Sequence, residues 1–313
     1  MLEDRIYTLN TYFQELFGEK VYKLSLNPGT TCPNRDGTCG VGGCAFCSEG
    51  GSGDFTPSPL LSMDEQLAAA KALVARKGAR RFVAYFQAFS GTYAPLERLR
   101  SLYASVLCRE EIVGLSIGTR PDCLPEETVA LLAELRGRYQ KPVFLELGLQ
   151  TARDDTADAF NRGYPYRVFT DAVTQSAKAG IPVVVHLIFG LPDESREDML
   201  QSVERVCRLP IAGIKLQQLH ILRGTPMERL WREHPERFAM LEEKAYVDAL
   251  TEAVAHIPRN IVIHRLTGDG PKKLLLAPLY SGNKKHMLAS IEKRMREQNI
   301  FQGQALTQKK TEK

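Results

Sequence analysis

Long apolar runs are missing from this chain. No stretch approaches the roughly 20 residues needed to span a bilayer, so no membrane span is expected. The opening residues, MLEDRIYTLNTYFQELFGEK, lack the basic, apolar, small-residue order of a secretory signal, which makes the cytoplasm the expected location. Strong charge imbalance is missing too. The formal net charge is +4 over 313 residues, too little by itself to demand a polyanionic partner. The hydrophobic and charged fractions, 43% and 25%, are those of an ordinary globular protein, and disorder is expected only at the extreme C-terminus. No internal repeat stands out beyond a strand–helix unit.

The charge that is present is unevenly placed. Between residues 271 and 313, ten Lys and Arg face three Glu, a local +7 on a mildly acidic body. The seven cysteines are uneven as well: Cys32, Cys39, Cys44 and Cys47 fall within sixteen residues, while Cys108, Cys123 and Cys207 are solitary. In a reducing compartment such a cluster reads as a metal site before it reads as disulfides.

Six short runs rich in Val, Ile, Leu and Phe, at 21–27, 81–87, 112–119, 142–148, 181–187 and 213–219, show little alternation, as strands buried on both faces do. Helical patterns at 63–76, 95–107, 125–136, 166–179 and 195–207 separate them. The first follows Ser62 with Glu65 three residues on, and two others start with Pro95 and Pro125. Strand–helix repetition predicts a parallel α/β sheet with right-handed crossovers, a partial (βα)6 barrel in preference to an open doubly wound sheet. Either arrangement places ligands at the C-terminal strand ends. The boundaries read as an N-terminal helical lead-in at 1–20, the partial barrel at 21–225, a helical and basic C-terminal extension at 226–303, and a disordered tail at 304–313.

The cysteine segment follows the first strand directly, which puts it on the functional rim. Eleven residues separate Cys32 from Cys44, and Cys44 and Cys47 form a C-x-x-C clamp in a loop made pliable by Gly37, Gly40, Gly42 and Gly43. Three thiolates leave one iron of a four-iron cluster open to a chelating ligand. Alternatively, Cys39 completes a four-thiolate structural zinc site, although a zinc ribbon usually has two C-x-x-C knuckles. A thioredoxin-like pair fits less well, because the Gly-rich SEGGSG, and no helix, follows.

Further segments carry a resemblance. GTTCPNRDGTCGVGGCAFCSEGGSGDF, with Phe46 before the last cysteine, resembles a radical S-adenosylmethionine (SAM) core of the branch related to the Elongator catalytic subunit. YFQAFSGTYAP, GLSIGTRPDCLP, LELGLQT, NRGY, HLIFGLPDE, GIKLQQLHILRGTP, HRLTGDGP and APLYSGNK, in this order, resemble the YhcC/YtqA-like family from about residue 5 to residue 303. The resemblance implies a TIM-like radical SAM barrel, a [4Fe–4S] cluster on Cys32, Cys44 and Cys47 with Cys39 outside the ligand set, and SAM cleaved reductively to a 5′-deoxyadenosyl radical. It also implies action on the tRNA wobble uridine side chain, from carboxymethylaminomethyl-uridine toward aminomethyl-uridine, with a flavodoxin or ferredoxin as electron donor. A radical SAM enzyme of a small molecule and a zinc-stabilised nucleic-acid-binding protein are the alternatives.

The resemblance also assigns SAM contacts. Gln150 ends the fourth strand where related enzymes place a Gln toward SAM, and Arg162 resembles an arginine that pairs the SAM carboxylate. His186 stands where an Asp often contacts the ribose. A satisfied core histidine is the plainer reading for it. The usual Gly-Gly-Glu-Pro motif is absent, and the backbone near Gln87 and Ser90 is the substitute, while Gly118 replaces a common acidic ribose ligand. Cys123 is a candidate hydrogen-atom donor, against an inert thiol in a capping turn. Lys215, Gln217, His264 and Arg265 are substrate candidates at strand ends. Lys272, Lys273, Lys284, Lys285, Lys293, Arg294 and Arg296, near Tyr280 and His286, either hold phosphates and stack a base or form a solvated helix face.

Overall fold

A computed structural model describes residues 2–311. The chain opens with a helix, α1 (Leu9–Phe17), capped by the Thr8 hydroxyl, and then alternates strand and helix: β1 (Val21–Leu26), α2 (Met63–Val74), β2 (Arg81–Phe86), α3 (Leu96–Leu107), β3 (Ile112–Thr119), α4 (Glu126–Tyr139), β4 (Val143–Gln150), α5 (Asp154–Ala159), α6 (Tyr166–Lys178), β5 (Val183–Phe189), α7 (Arg196–Cys207) and β6 (Gly213–Gln218). The helices begin where local chemistry starts them. Ser62 with Glu65 and Ser195 with Asp198 form reciprocal capping boxes at α2 and α7.

Beyond β6 come β7 (Ile221–Leu222), α8 (Pro226–Glu233), α9 (Glu243–His256), β8 (Val262–Arg265), β9 (Leu275–Ala277), α10 (Lys284–Glu297) and α11 (Gln304–Thr311). The parallel sheet runs β1-β2-β3-β4-β5-β6-β8, so it has seven strands where the sequence predicts six. The seventh, β8, pairs with β6 through Gly213 and Val262 and comes from the segment read as an extension. The partial barrel and the segment read as an extension therefore share one sheet. The C-terminal residues depart from expectation too. Residues 304–311 form α11 against α9, where a disordered tail is predicted, because Gln302, buried beneath them, ties the turn to the carbonyls of Pro258 and Ile261. Residues 312 and 313 lie outside the described residues.

The sheet curls into a partial barrel whose open seam is filled by α1, which touches both β1 and β8. Ile263 N–H donates to the Tyr7 carbonyl at 2.8 Å, so the chain leading into α1 partners β8. Phe13, Val21, Val83 and Val113, with Leu9, Tyr12 and Phe17, form an apolar floor at the N-terminal end of the strands. Phe144 closes it, 6.3 Å from Tyr12 and 6.4 Å from Phe13 between ring centres. Above the floor the inner face turns polar, with Lys23, Ser116, Glu146, His186 and Lys215 at successive strands. Among the described residues no helix is long and apolar enough to cross a membrane.

Phe13 is buried in this floor, so Phe13→Ala removes a ring that plugs the seam. Urea denaturation should show a loss of about 3–5 kcal/mol; a loss below about 1 kcal/mol would mean that the seam closes without it.

Candidate functional site

The C-terminal strand ends open into a cavity of about 780 Å³ lined by Cys32, Cys44 and Cys47 together with Gln150, Glu146, Lys215 and Arg265. The cysteine loop is held by its own backbone and by its neighbours. Arg35 N–H donates to the Cys32 carbonyl at 2.8 Å and Cys47 N–H to that of Cys44 at 2.9 Å. Buried Asn34 donates to the Asn161 carbonyl at 2.5 Å, and Asn161 returns a bond to the Gly43 carbonyl at 3.0 Å. Gly40 is required here, since a Cβ would stand 2.0 Å from Asn34 Oδ1. Phe46 packs on Phe160 with centroids 5.2 Å apart, which anchors the C-x-x-C to α5. Cys44 and Cys47 share a hydrogen bond that, with the Arg35 guanidinium nearby, holds Cys47 below the usual thiol range and pushes Cys44 above it.

Cys39 is exposed and lies outside the cavity lining. The four thiols therefore do not share one site, and among the described residues no three His, Cys, Asp or Glu side chains converge as ligands of a single ion. Three soft donors on one cavity, with the fourth thiol outside it, suit three corners of a cluster better than the closed four-ligand tetrahedron of zinc. On this donor chemistry the residues fit a [4Fe–4S] group.

Gln87, Ser90 and Gln150 line the cavity beside the cysteines. The Gln87 carbonyl accepts from Ser52 at 2.6 Å and its side chain from Ser25 at 3.0 Å. Gln150 sits at φ +67° beyond a bulge in the β4–β5 pairing, which turns its side chain out of the regular pleat. Arg162 lines the cavity as well, with most of its donors already engaged. It is 1% exposed, and its Nε donates to the Tyr164 carbonyl, Nη1 to those of Leu149 and Thr151, and Nη2 to Asp154, at 2.7–3.0 Å. One N–H of the guanidinium's five is left, so no bidentate fork is available for a carboxylate. Arg162 is a clamp on the β4–α6 connection, and a second guanidinium, Arg120, joins it over the Tyr164 ring.

Deeper in the barrel, Glu146 binds Lys23 and Lys215, accepts from Ser116 at 2.5 Å and meets His186 Nε2 at 2.9 Å. Burial raises the Glu146 pKa, but the ammoniums of Lys215 and Lys23 overcome it and hold the carboxylate well below its ordinary range. Burial, with Lys23 and Arg265 adding to it, brings Lys215 down to about 7 against the pull of Glu146. Burial and Lys215 push His186 down to about 4, so its ring is neutral and donates to Glu146. His186 is thus a partnered interior histidine that also lines the cavity. Tyr85 completes the group, 3.4 Å from Lys215 Nζ.

Of the substrate candidates, Lys215, Gln217 and Arg265 reach the cavity. His264 does not: it packs on Gly213 of the neighbouring strand, where a Cβ would stand 2.6 Å from its Nε2. Cys123 lines a separate cavity beside Tyr93 and Pro125, and burial pushes its thiol up, while its side chain neighbours Ser90 of the main cavity wall. The basic tail is partly neutralised, with Arg294 on Asp248 at 2.8 Å and Arg296 on Glu292 at 2.7 Å; Lys272 and Lys284 line the cavity mouth. Sequence reasoning missed Glu146, Lys23, Tyr85 and Arg120. The signal for Glu146 was present, a lone carboxylate within the apolar VFLELG run.

A family model for the radical SAM superfamily matches residues 26–206, and one for the radical SAM C-terminal domain matches 211–297. The uncharacterized protein YtqA of Bacillus subtilis (strain 168) is 41% identical over 302 residues, covering 96% of this chain and 92% of that protein. Protein YhcC of Escherichia coli (strain K12) is 39% identical over 290 residues, covering 93% and 92%. The solved structure of the archaeal Methanocaldococcus infernus Elp3 with an N-terminal deletion matches with a TM-score of 0.67 at 15% identity, over 90% of this chain and 64% of that one. The chain thus spans just under two thirds of that structure, and the likeness is one of fold.

The interior carboxylate is open to direct test. Glu146→Gln leaves Lys23 and Lys215 buried without their counter-charge, which should cost about 3–5 kcal/mol at pH 6. Lys215 titrates near 7 in the fold and near the ordinary lysine value of 10.5 when unfolded. The unfolded chain therefore binds more protons between those values, and stability rises with pH there. Without Glu146 the folded amine gives up its proton at a lower pH still, so the deficit should narrow as pH rises from 6 to 8, through the value at which wild-type Lys215 gives up its own proton. Urea melts at both ends check this; a deficit that widens would reverse the assignment of charge.

Proposed function

The chain belongs to the radical SAM superfamily, and from that membership we propose that it is an iron–sulfur enzyme acting on the side chain of the tRNA wobble uridine, in a step from carboxymethylaminomethyl-uridine toward aminomethyl-uridine. The observation that carries this reading is the shared cavity: Cys32, Cys44 and Cys47 line it together with Lys215, Arg265, Lys272 and Lys284. Membership implies a [4Fe–4S] cluster and SAM; Cys32, Cys44 and Cys47 would hold the cluster, and Gln87, Ser90 and Gln150 stand beside them on the wall where SAM would lie. When bound, the two cofactors supply a 5′-deoxyadenosyl radical that abstracts hydrogen from substrate.

The remaining work falls to this chain's own side chains. Arg162 fixes the loop that meets the cysteine segment through Asn34 and Asn161. Lys215, poised near neutrality, can hold or release a proton toward the cavity, and Glu146 keeps it in place. The sealed barrel floor excludes water from below. The basic mouth, Lys272, Lys284 and Arg265, suits an RNA backbone. A flavodoxin or ferredoxin is the proposed electron donor.

Anaerobic purification should give a brown protein containing iron and sulfide. Cys44→Ala should lose the iron and Cys39→Ala should keep it; iron retained in the first, or lost in the second, overturns the ligand set. Mass spectrometry of tRNA nucleosides from a deletion strain should show carboxymethylaminomethyl-uridine accumulating, and an unchanged wobble-uridine profile removes the tRNA substrate.

A further inference from the structure

Eight buried side-chain polar atoms lack a partner among the described residues, and five of them sit on one side of the barrel: Gln218 Nε2, His220 Nε2, His264 Nδ1, Thr267 Oγ1 and Tyr280 OH. Buried polar groups are almost always paired, so a local concentration of unpaired ones calls for a partner the chain does not supply. Two of them, on Gln218 and His220, belong to residues that line the main cavity.

Both residues pack against the loop at 268–270. Gln218 ends β6, is 2% exposed, and its side-chain oxygen accepts from Gly268 N–H at 3.0 Å. That bond settles the orientation of the amide and leaves its NH2 without an acceptor. The His220 ring is packed under the loop at 268–270, where a Cβ at Gly268 would stand 2.5 Å from Cε1. Burial pushes its pKa down to about 4, so it presents a neutral imidazole. The charged groups facing this wall are Arg265, Asp269, Lys272 and Lys284. Asp269 lies 3.3 Å from Arg265 and 3.1 Å from Lys284, so one carboxylate offsets two of three cations. The wall therefore offers neutral donors at its depth and net positive charge toward the mouth.

We propose that Gln218, His220 and Arg265 form the substrate subsite of this cavity and take a pyrimidine base that bears a carboxylate on its side chain. The inference rests on the tRNA reading above and deepens it. The Gln218 amide, and the His220 imidazole in the tautomer protonated at Nε2, donate to the ring carbonyl oxygens. The Arg265 guanidinium, a planar fork, receives the carboxylate. A base entering this cavity has left its stack, which costs least in a single-stranded loop. Orphaned donors that meet no acceptor in the free protein find one only when such a base is present, so the wall discriminates against ligands lacking carbonyl groups.

The test compares two anticodon stem–loop RNAs, one carrying carboxymethylaminomethyl-uridine at the wobble position and the other unmodified uridine, bound anaerobically to the holoenzyme and followed by fluorescence anisotropy. The wild-type protein should favour the carboxylated RNA by about tenfold, as a charge-assisted pair allows. Arg265→Gln should reduce that preference to about twofold or less. Gln218→Leu and His220→Phe should weaken both RNAs alike, by about tenfold for each lost base contact. Gln218→Glu keeps the side chain's size, decides the matter if the leucine variant fails to fold, and should penalise the carboxylated RNA more than the unmodified one. Iron content reports whether each variant has folded. Wild-type binding with unaltered affinities and preference in the folded variants overturns the subsite alone. Absence of binding by the wild-type protein to either RNA overturns the tRNA reading and the subsite with it.

Discussion

The polar interior of the barrel depends on Glu146. Its carboxylate sits among two ammonium groups, a hydroxyl and an imidazole, and it is the only anion in contact with either lysine among the described residues. A buried carboxylate is costly to desolvate, and so is a buried ammonium; together they persist because each is the other's solvent. The group ties β1, β3, β4, β5 and β6 to one point inside the barrel. It also sets the protonation states that the cavity above it meets: His186 is neutral and Lys215 lies near its midpoint at neutral pH.

Below this group the barrel is apolar and closed by α1; above it stand the cysteine loop and the Gln218–His220 wall. The gradient follows from strand periodicity. Alternate residues face inward, so Val83 and Tyr85 on β2, Phe144 and Glu146 on β4, and Val184 and His186 on β5 step from apolar to polar along each strand. Such an interior suits a reactive intermediate, since water is excluded from beneath while polar groups are confined to the side where ligands enter.

Much of this was legible from the sequence. The six apolar runs and their intervening helices were marked by composition and capping residues, because both signals are local. The cysteines were legible for the same reason, lying within sixteen residues. β8 was not, being four residues long and stabilised by pairing with β6 and with the chain before α1. Glu146 could be seen as an odd residue in a strand, but its lysine partners stand 123 and 69 residues away, beyond the reach of any periodicity. The backbone partners of Arg162 were not legible either, because residue type does not show whether a guanidinium spends its donors on backbone carbonyls or keeps them for a ligand. His264 was placed at the rim by its distance along the chain from a strand end, which ignores which way the strand carries the side chain.

The last stave of the barrel has a bearing on how enzymes of this shape diversify. β8 arrives from beyond the helices α8 and α9, and the loop that presses on His220 follows it immediately. The piece of chain that completes the scaffold and the piece that shapes one wall of the cavity are therefore the same piece. Exchanging the C-terminal segment therefore replaces a structural strand together with the cavity wall, whereas a substitution within the loop alters the wall and leaves the strand in place.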